Sequence, residues 1–106
     1  MANTFKNYAS AAVGTTQTTI LTATANTTVI GCSIANIIGA NINTSIILNT
    51  GGSDYYLLKD ALVPVGGALV PIGGDQKLVL EIGDSIKVIN SAVASTDVIL
   101  SVLEIS

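Results

Sequence analysis

Apolar and polar residues alternate along most of this chain with a period of two. From Thr28 to Ile38 the even positions Ile30, Cys32, Ile34 and Ile38 are large and apolar, with Gly31, Ser33 and Ala35 between them. That is the spacing of a strand with one buried face. The same alternation returns in Ile42, Thr44, Ile46 and Leu48, in Leu78, Leu80 and Ile82, and in Ile86 and Val88 around Lys87. Tyr55 to Lys59, Leu62 to Val65, Ala68 to Ile72 and Val98 to Leu103 add β-prone segments, and Thr15 to Thr24 is a Thr-rich strand near the start. Turn residues separate them at Asn49 to Asp54, Gly66-Gly67, Gly73 to Asp75 and Gly83-Asp84. Pro64 and Pro71 stand beside short strands, where a missing N–H costs least at an edge or bulge.

Eight or nine short strands with glycine punctuation predict an all-β chain, an antiparallel β-sandwich or a jelly-roll-like barrel. The pattern leaves these two open. Only Phe5 to Ala12 has some helical character, over a length that is marginal for a helix. The 106 residues fit one domain, 1–106, with 1–14 read as an extended N-terminal arm. The Thr, Ala and Asn residues from Ala9 to Thr28 suit an arm or an edge strand, and an uncharged edge is open to pairing with a neighbouring subunit.

Charge sharpens the picture. Charged residues make up 10% of the chain against roughly 25% in ordinary soluble domains, while 49% of it is apolar. Lys6 and Asp54 enclose a stretch without any charge, and every other charged residue lies at Asp54 or beyond. Four Lys+Arg against seven Asp+Glu, unclustered, give no grip on phosphates, so no nucleic-acid partner is expected. Polar residues interrupt the apolar stretch from Val29 to Leu48, so it does not read as a membrane-spanning helix and no membrane partner is expected. Residues 1–8 lack the basic and apolar regions of a signal peptide, and a single Cys32 forms no internal disulfide. Both point to the cytoplasm as the place of synthesis. Between Ile30 and Ile34, Cys32 reads as a small core hydrophobe.

Catalytic machinery is sparse. Without histidine there is no imidazole base, no His-assisted nucleophile and no His-bearing zinc site. Asp54 with Asp60, and Glu81 with Asp84, are the nearest carboxylate pairs, and they flank glycine turns as solvated or turn-closing residues do. The glycine pairs are not followed by Lys-Ser/Thr, so no phosphate loop is present. Asp75, Asp84 and Asp97 could offer oxygens to calcium but lack EF-hand spacing. Asn26-Thr27-Thr28 and Asn43-Thr44-Ser45 match glycosylation sequons, and without a secretory signal they read as strand composition. Neither a catalytic residue, nor a cofactor, nor a metal is assigned, and the chain is read as a non-enzyme.

Three stretches together, Asp54 to Gly67, Lys77 to Val88 and Asp97 to Glu104, resemble small virion structural proteins of tailed bacteriophages, marine and cyanobacterial phages in particular. The likeness covers about half of the chain. It implies a β-structured subunit made in the bacterial host cytoplasm and carried in many copies on the virion, as a capsid decoration or a neck or tail accessory. Expected partners are further copies of itself, a homo-oligomer such as a trimer, and capsid, neck or tail proteins. An apolar surplus beyond what so short a chain can bury agrees with subunit contacts, whose cores are poor in charge. The residues expected at that interface are Ile30, Ile34, Ile38, Ile42, Ile46, Tyr55 and Tyr56, with residues 7–53 supplying most of it. Of the adjacent tyrosines, one is expected in the core and one exposed. The alternative is a β-sandwich module that recognises a host glycan or receptor through Asn49 to Asp54 and Gly73 to Asp75.

Overall fold

A computed structural model describes residues 3–72 and 77–105. The described residues form nine strands and no helix: β1 (Asn3–Val13), β2 (Thr18–Thr22), β3 (Asn26–Asn36), β4 (Ile42–Thr50), β5 (Ser53–Val63), β6 (Ala68–Ile72), β7 (Leu78–Leu80), β8 (Ser85–Asn90) and β9 (Thr96–Ile105). They make two antiparallel sheets. Sheet A runs β1-β9-β3-β6, with β7 also on β3, and sheet B runs β2-β8-β4-β5. Because β6 meets β3 at Cys32 to Ala35 and β7 meets it at Thr27 to Val29, the two share one position beside β3. The chain therefore fills four positions per sheet, crossing between sheets at almost every connection. That is a jelly roll, and strand order decides what periodicity left open.

The amino-terminal segment is neither a free arm nor helical. Residues 3–13 are β1, paired with β9 from Asn3 opposite Ile105 to Ser10 opposite Val98. An eight-residue stretch of helix gains too few hydrogen bonds to compete with a strand already offered by β9. Tyr55 to Lys59 and Leu62-Val63 belong to one strand, β5, joined to β4 by Gly51-Gly52, while Pro64 and Val65 lie past its end. Both glycines have positive φ, 62° and 81°, as a two-residue type I′ hairpin turn requires.

The core lies between the sheets. Val98, Leu100 and Val102 of β9, Val29, Cys32 and Ile34 of β3, and Leu80 of β7 meet Leu21, Ile46, Ile86 and Val88 of sheet B. One end is closed by a buried polar layer, in which Asn90 Nδ2 donates to Val13 O at 2.9 Å and to Thr96 Oγ1 at 2.8 Å.

Cys32 is buried in this core, and burial pushes its thiol up to about 12. At pH 8 only about one thiol in ten thousand would then be thiolate, the reactive form. Cys32 should resist alkylation in native protein and react at once in denaturant. Rapid labelling of the native chain would place the thiol outside the core.

Candidate functional site

The two outer faces of the sandwich differ in chemistry. On β9 the even residues Val98, Leu100 and Val102 are buried, so Ile99, Ser101, Leu103 and Ile105 face outward. Register then builds the outer face of sheet A row by row. Asn3, Ile105 and Asn26 form one row, and Phe5, Leu103, Thr28 and Val79 the next. Asn7, Ser101 and Gly31 follow, then Ala9, Ile99 and Ser33, and last Asp97, Ala35 and Ala68. Phe5 is 73% exposed, Val70 67% and Val79 66%. Within the strands Asp97 is the one charged side chain on this face, and its carboxylate accepts the Ala12 N–H at 2.9 Å. Lys77 and Glu81 flank β7 at the rim.

Sheet B carries charge outward instead. Lys87 lies 3.9 Å from Asp54, which also accepts from Asn49 Nδ2 at 2.7 Å, and the Lys59 ammonium stands 5.1 Å above the Tyr56 ring. A depression of about 200 Å³ lies among Asn43, Ser45, Tyr56, Lys59, Asp60 and Ser91. Two of its hydroxyls are already engaged, since Ser45 Oγ accepts from Asp60 N–H and Ser91 Oγ from Asn43 N–H, each at 2.9 Å.

The residues expected at an interface do not form one patch. Ile34, Ile42 and Ile46 are inside the subunit's own core, a correction that follows from their place on the inward faces of β3 and β4. Ile30 occupies a bulge, where the register shifts between Val29 and Gly31. The extra residue breaks the alternation and turns Ile30 to the outer face of sheet A. Ile38 is half-buried past the end of β3. Tyr55 and Tyr56 are both exposed, at 56% and 53%, on β5 of the other sheet. They do point to opposite faces, but β5 is an edge strand and the hairpin end there is open on both sides.

Exposed large apolar residues also fall where they were not expected. Among the described residues before Ser53 there are only Phe5 and Ile37; the rest, from Tyr55 to Ile105, are in the charged half. The large apolar residues of the charge-free stretch go mostly into the core. Contrast in surroundings thus lies between two faces of the fold rather than two halves of the chain. The missed residues did leave a signal: β9 reads Val98-Ile99-Leu100 and Val102-Leu103, apolar on both parities, as a strand with two covered faces does.

Among the described residues no cluster of three potential metal ligands occurs. Asp84 is buried and accepts the Glu81 N–H at 3.0 Å, closing the turn before β8. Asp75 lies outside the described residues.

One ionic group ties β1 to β9 beneath the sheet. Tyr8 OH donates to Glu104 Oε2, and the Lys6 ammonium lies 3.2 Å from Glu104 Oε1. Hydrogen bonding from Tyr8, aided by Lys6, holds Glu104 below its ordinary 4.5 against the opposing effect of burial. Glu104 in turn holds Lys6 and Tyr8 above their ordinary values, chiefly by hydrogen bonding. A depressed carboxyl stabilises the fold above its unfolded pKa, and that contribution is lost as pH falls through the folded one. Raised Lys6 and Tyr8 add stability below about pH 10 that is lost at higher pH. Glu104→Gln should therefore flatten both limbs of a urea-midpoint profile against pH. Unchanged acid and alkaline limbs would show that the group contributes nothing.

Comparison with protein-family models and with curated proteins finds no match to this chain.

Proposed function

We propose that the chain is a non-enzymatic structural subunit of a bacteriophage virion, a capsid decoration or a neck or tail accessory, seated on the particle through the outer face of sheet A. The observation that carries this reading is the charge-poor face itself, on which Asp97 is the one charged side chain within the strands. Four strand positions at about 4.8 Å by eleven residues at about 3.3 Å give on the order of 700 Å². A stable protein interface takes roughly 800 Å² from each partner. A face of that size with one charged side chain in its strands, and with Phe5, Val70, Val79 and Ile99 exposed among small neutral residues, has the composition of a contact surface. Jelly rolls recur in viral shells, an analogy of fold in keeping with this reading. The resemblance of residues 54–104 to phage structural proteins points the same way. Recognition of a host glycan finds less support, because the Asn49 to Asp54 segment is a tight turn whose polar side chains bond each other.

The test is to image virions carrying labelled subunit and to compare variants. Ile99→Lys with Val79→Lys should lower the number of copies per particle at least tenfold, while Tyr55→Ser on sheet B should leave it unchanged. Absence of the chain from purified virions would sink the proposal.

A further inference from the structure

We propose that β1 is a pairing edge: two copies of this chain join by antiparallel hydrogen bonding of their β1 strands about a two-fold axis centred on Asn7, which makes sheet A continuous across the dimer. This pairing does not depend on where the subunit sits in a particle.

Four edges bound the two sheets, and three are poor templates. β5 has register shifts on both sides of Ile46, carries Lys59 and Asp60, and holds Asp60 at φ 53°. β6 and β7 are short and interrupted, with Pro71 in β6. β2 has five residues and one irregularity. Bulges, prolines, charges and brevity are the means by which proteins block edge-to-edge pairing. β1 has no bulge and no proline from Asn3 to Ser10, where its register with β9 is unbroken, it carries the single charge of Lys6, and among the described residues no strand lies on its other side. A lone edge of this length leaves alternate N–H and C=O groups unpaired.

The occupant follows from charge and symmetry. Lys6, the one charge on β1, would normally guard the edge. It instead shares the inward face with Tyr8 and is drawn onto Glu104 of its own chain, 3.2 Å away. The remaining side chains from Asn3 to Ser10 are neutral, so nothing on the edge selects a charged partner and nothing repels an identical one. Identical edges related by a two-fold perpendicular to the sheet pair antiparallel and close, leaving exposed only the β6/β7, β2 and β5 edges, which are poor templates.

Symmetry also fixes the register. Such an axis keeps both outer faces on one side, so odd residues oppose odd residues and the axis passes through a residue paired with itself. The regular stretch has its middle at Lys6 and Asn7. Centring on Lys6 would set two ammonium groups opposite each other, which is unfavourable. Centring on Asn7 places Phe5 against the small Ala9 of the second copy, Thr4 against Ser10 and Lys6 against Tyr8. The outer faces of both copies then form one charge-poor surface twice as wide.

Directly opposed residues in an antiparallel pair have Cα atoms about 4.5 to 5.5 Å apart, within disulfide reach. Under oxidation Asn7→Cys should give a covalent dimer on a non-reducing gel. Phe5→Cys, four residues from its own symmetry mate, should stay monomeric there, and the pair Phe5→Cys with Ala9→Cys should cross-link. Buried Cys32 does not interfere. Light scattering of the unmodified chain at micromolar concentration should give twice 10.7 kDa. In that dimer hydrogen exchange should protect consecutive amides from Thr4 to Ser10. Asn7→Lys with Ala9→Lys should return the chain to a folded monomer in which every second amide exchanges fast. A monomer or trimer in solution overturns the inference, as does a dimer in which Val79→Cys cross-links and Asn7→Cys does not. So does β1 protection that appears only on adding a different protein. Val79→Lys should leave the solution mass unchanged, so loss of particle attachment and loss of pairing are separable.

Discussion

Leu100→Ala should lower the unfolding free energy by about 3 to 5 kcal/mol, the range for truncating a buried leucine that its surroundings cannot replace. Leu100 is fully buried at the middle of β9, between Tyr8 on β1 and Cys32 on β3. Beneath it are the sheet B residues of the same cluster, Ile46, Ile86 and Val88. β9 is an interior strand of sheet A, so it cannot shift to fill a cavity without breaking hydrogen bonds on both sides. A domain of this size has roughly 5 to 15 kcal/mol in all, so the variant would stand near the edge of folding. Urea unfolding checks the figure, with Ser101→Ala on the outer face as the neighbour expected to change stability by less than about 0.5 kcal/mol. A loss below about 1 kcal/mol at Leu100 would mean that the sheets do not pack there as described.

Asn36→Asp should be nearly as damaging near neutral pH although it changes hardly any volume. Asn36 is buried where β3 ends, and it ties three segments together. Its Nδ2 donates to Ala40 O at 2.8 Å and to Val63 O at 3.0 Å, and its Oδ1 accepts the Ile38 N–H at 2.9 Å. Aspartate keeps the acceptor but turns a carboxylate oxygen toward two carbonyl oxygens. The expected cost is about 3 kcal/mol, from orphaned carbonyls and a buried charge without a partner. Such a carboxyl has a raised pKa in the folded state. The loss therefore sets in as pH rises above about 3.9, the unfolded value, and levels off once the folded carboxyl ionises. Acidification should restore part of the stability in this variant while it weakens the native chain through Glu104. Urea midpoints over the acid range test this, and a penalty independent of pH would count against the buried-charge account.

Strand positions were largely legible in the sequence because each strand carries its own record. Alternation marks β3, β4 and β8, and Gly51-Gly52 marks the hairpin between β4 and β5. What sequence could not supply is whatever two distant segments decide jointly. One inserted residue at Ile30 reverses its face, and no local pattern announces it. Tyr55 and Tyr56 alternate as expected, yet how much of each is covered depends on where the opposite sheet stops. The charge-poor face draws on β1, β3, β6, β7 and β9, so its large apolar residues are scattered from Phe5 to Ile105. The stretch between Lys6 and Asp54 looked like that surface because it lacks charge. Lack of charge describes a core equally well, and half of the residues in any strand point there.

Placing β9 between β1 and β3 also sets the order of events when the chain is made. Thr4 must find Glu104 and Thr27 must find the same residue from the other side, contacts that join the two ends of the chain. Synthesis runs at about 5 to 20 residues per second from the amino terminus. For several seconds β1 and β3 exist without the strand that separates them, so β1 has no native neighbour and sheet A can hold only β3 with β6 and β7. Folding should accordingly be a single late event after β9 leaves the ribosome, at the slow rates typical of chains with distant pairings. A nascent chain stalled before Thr96 should remain sensitive to protease along its whole length.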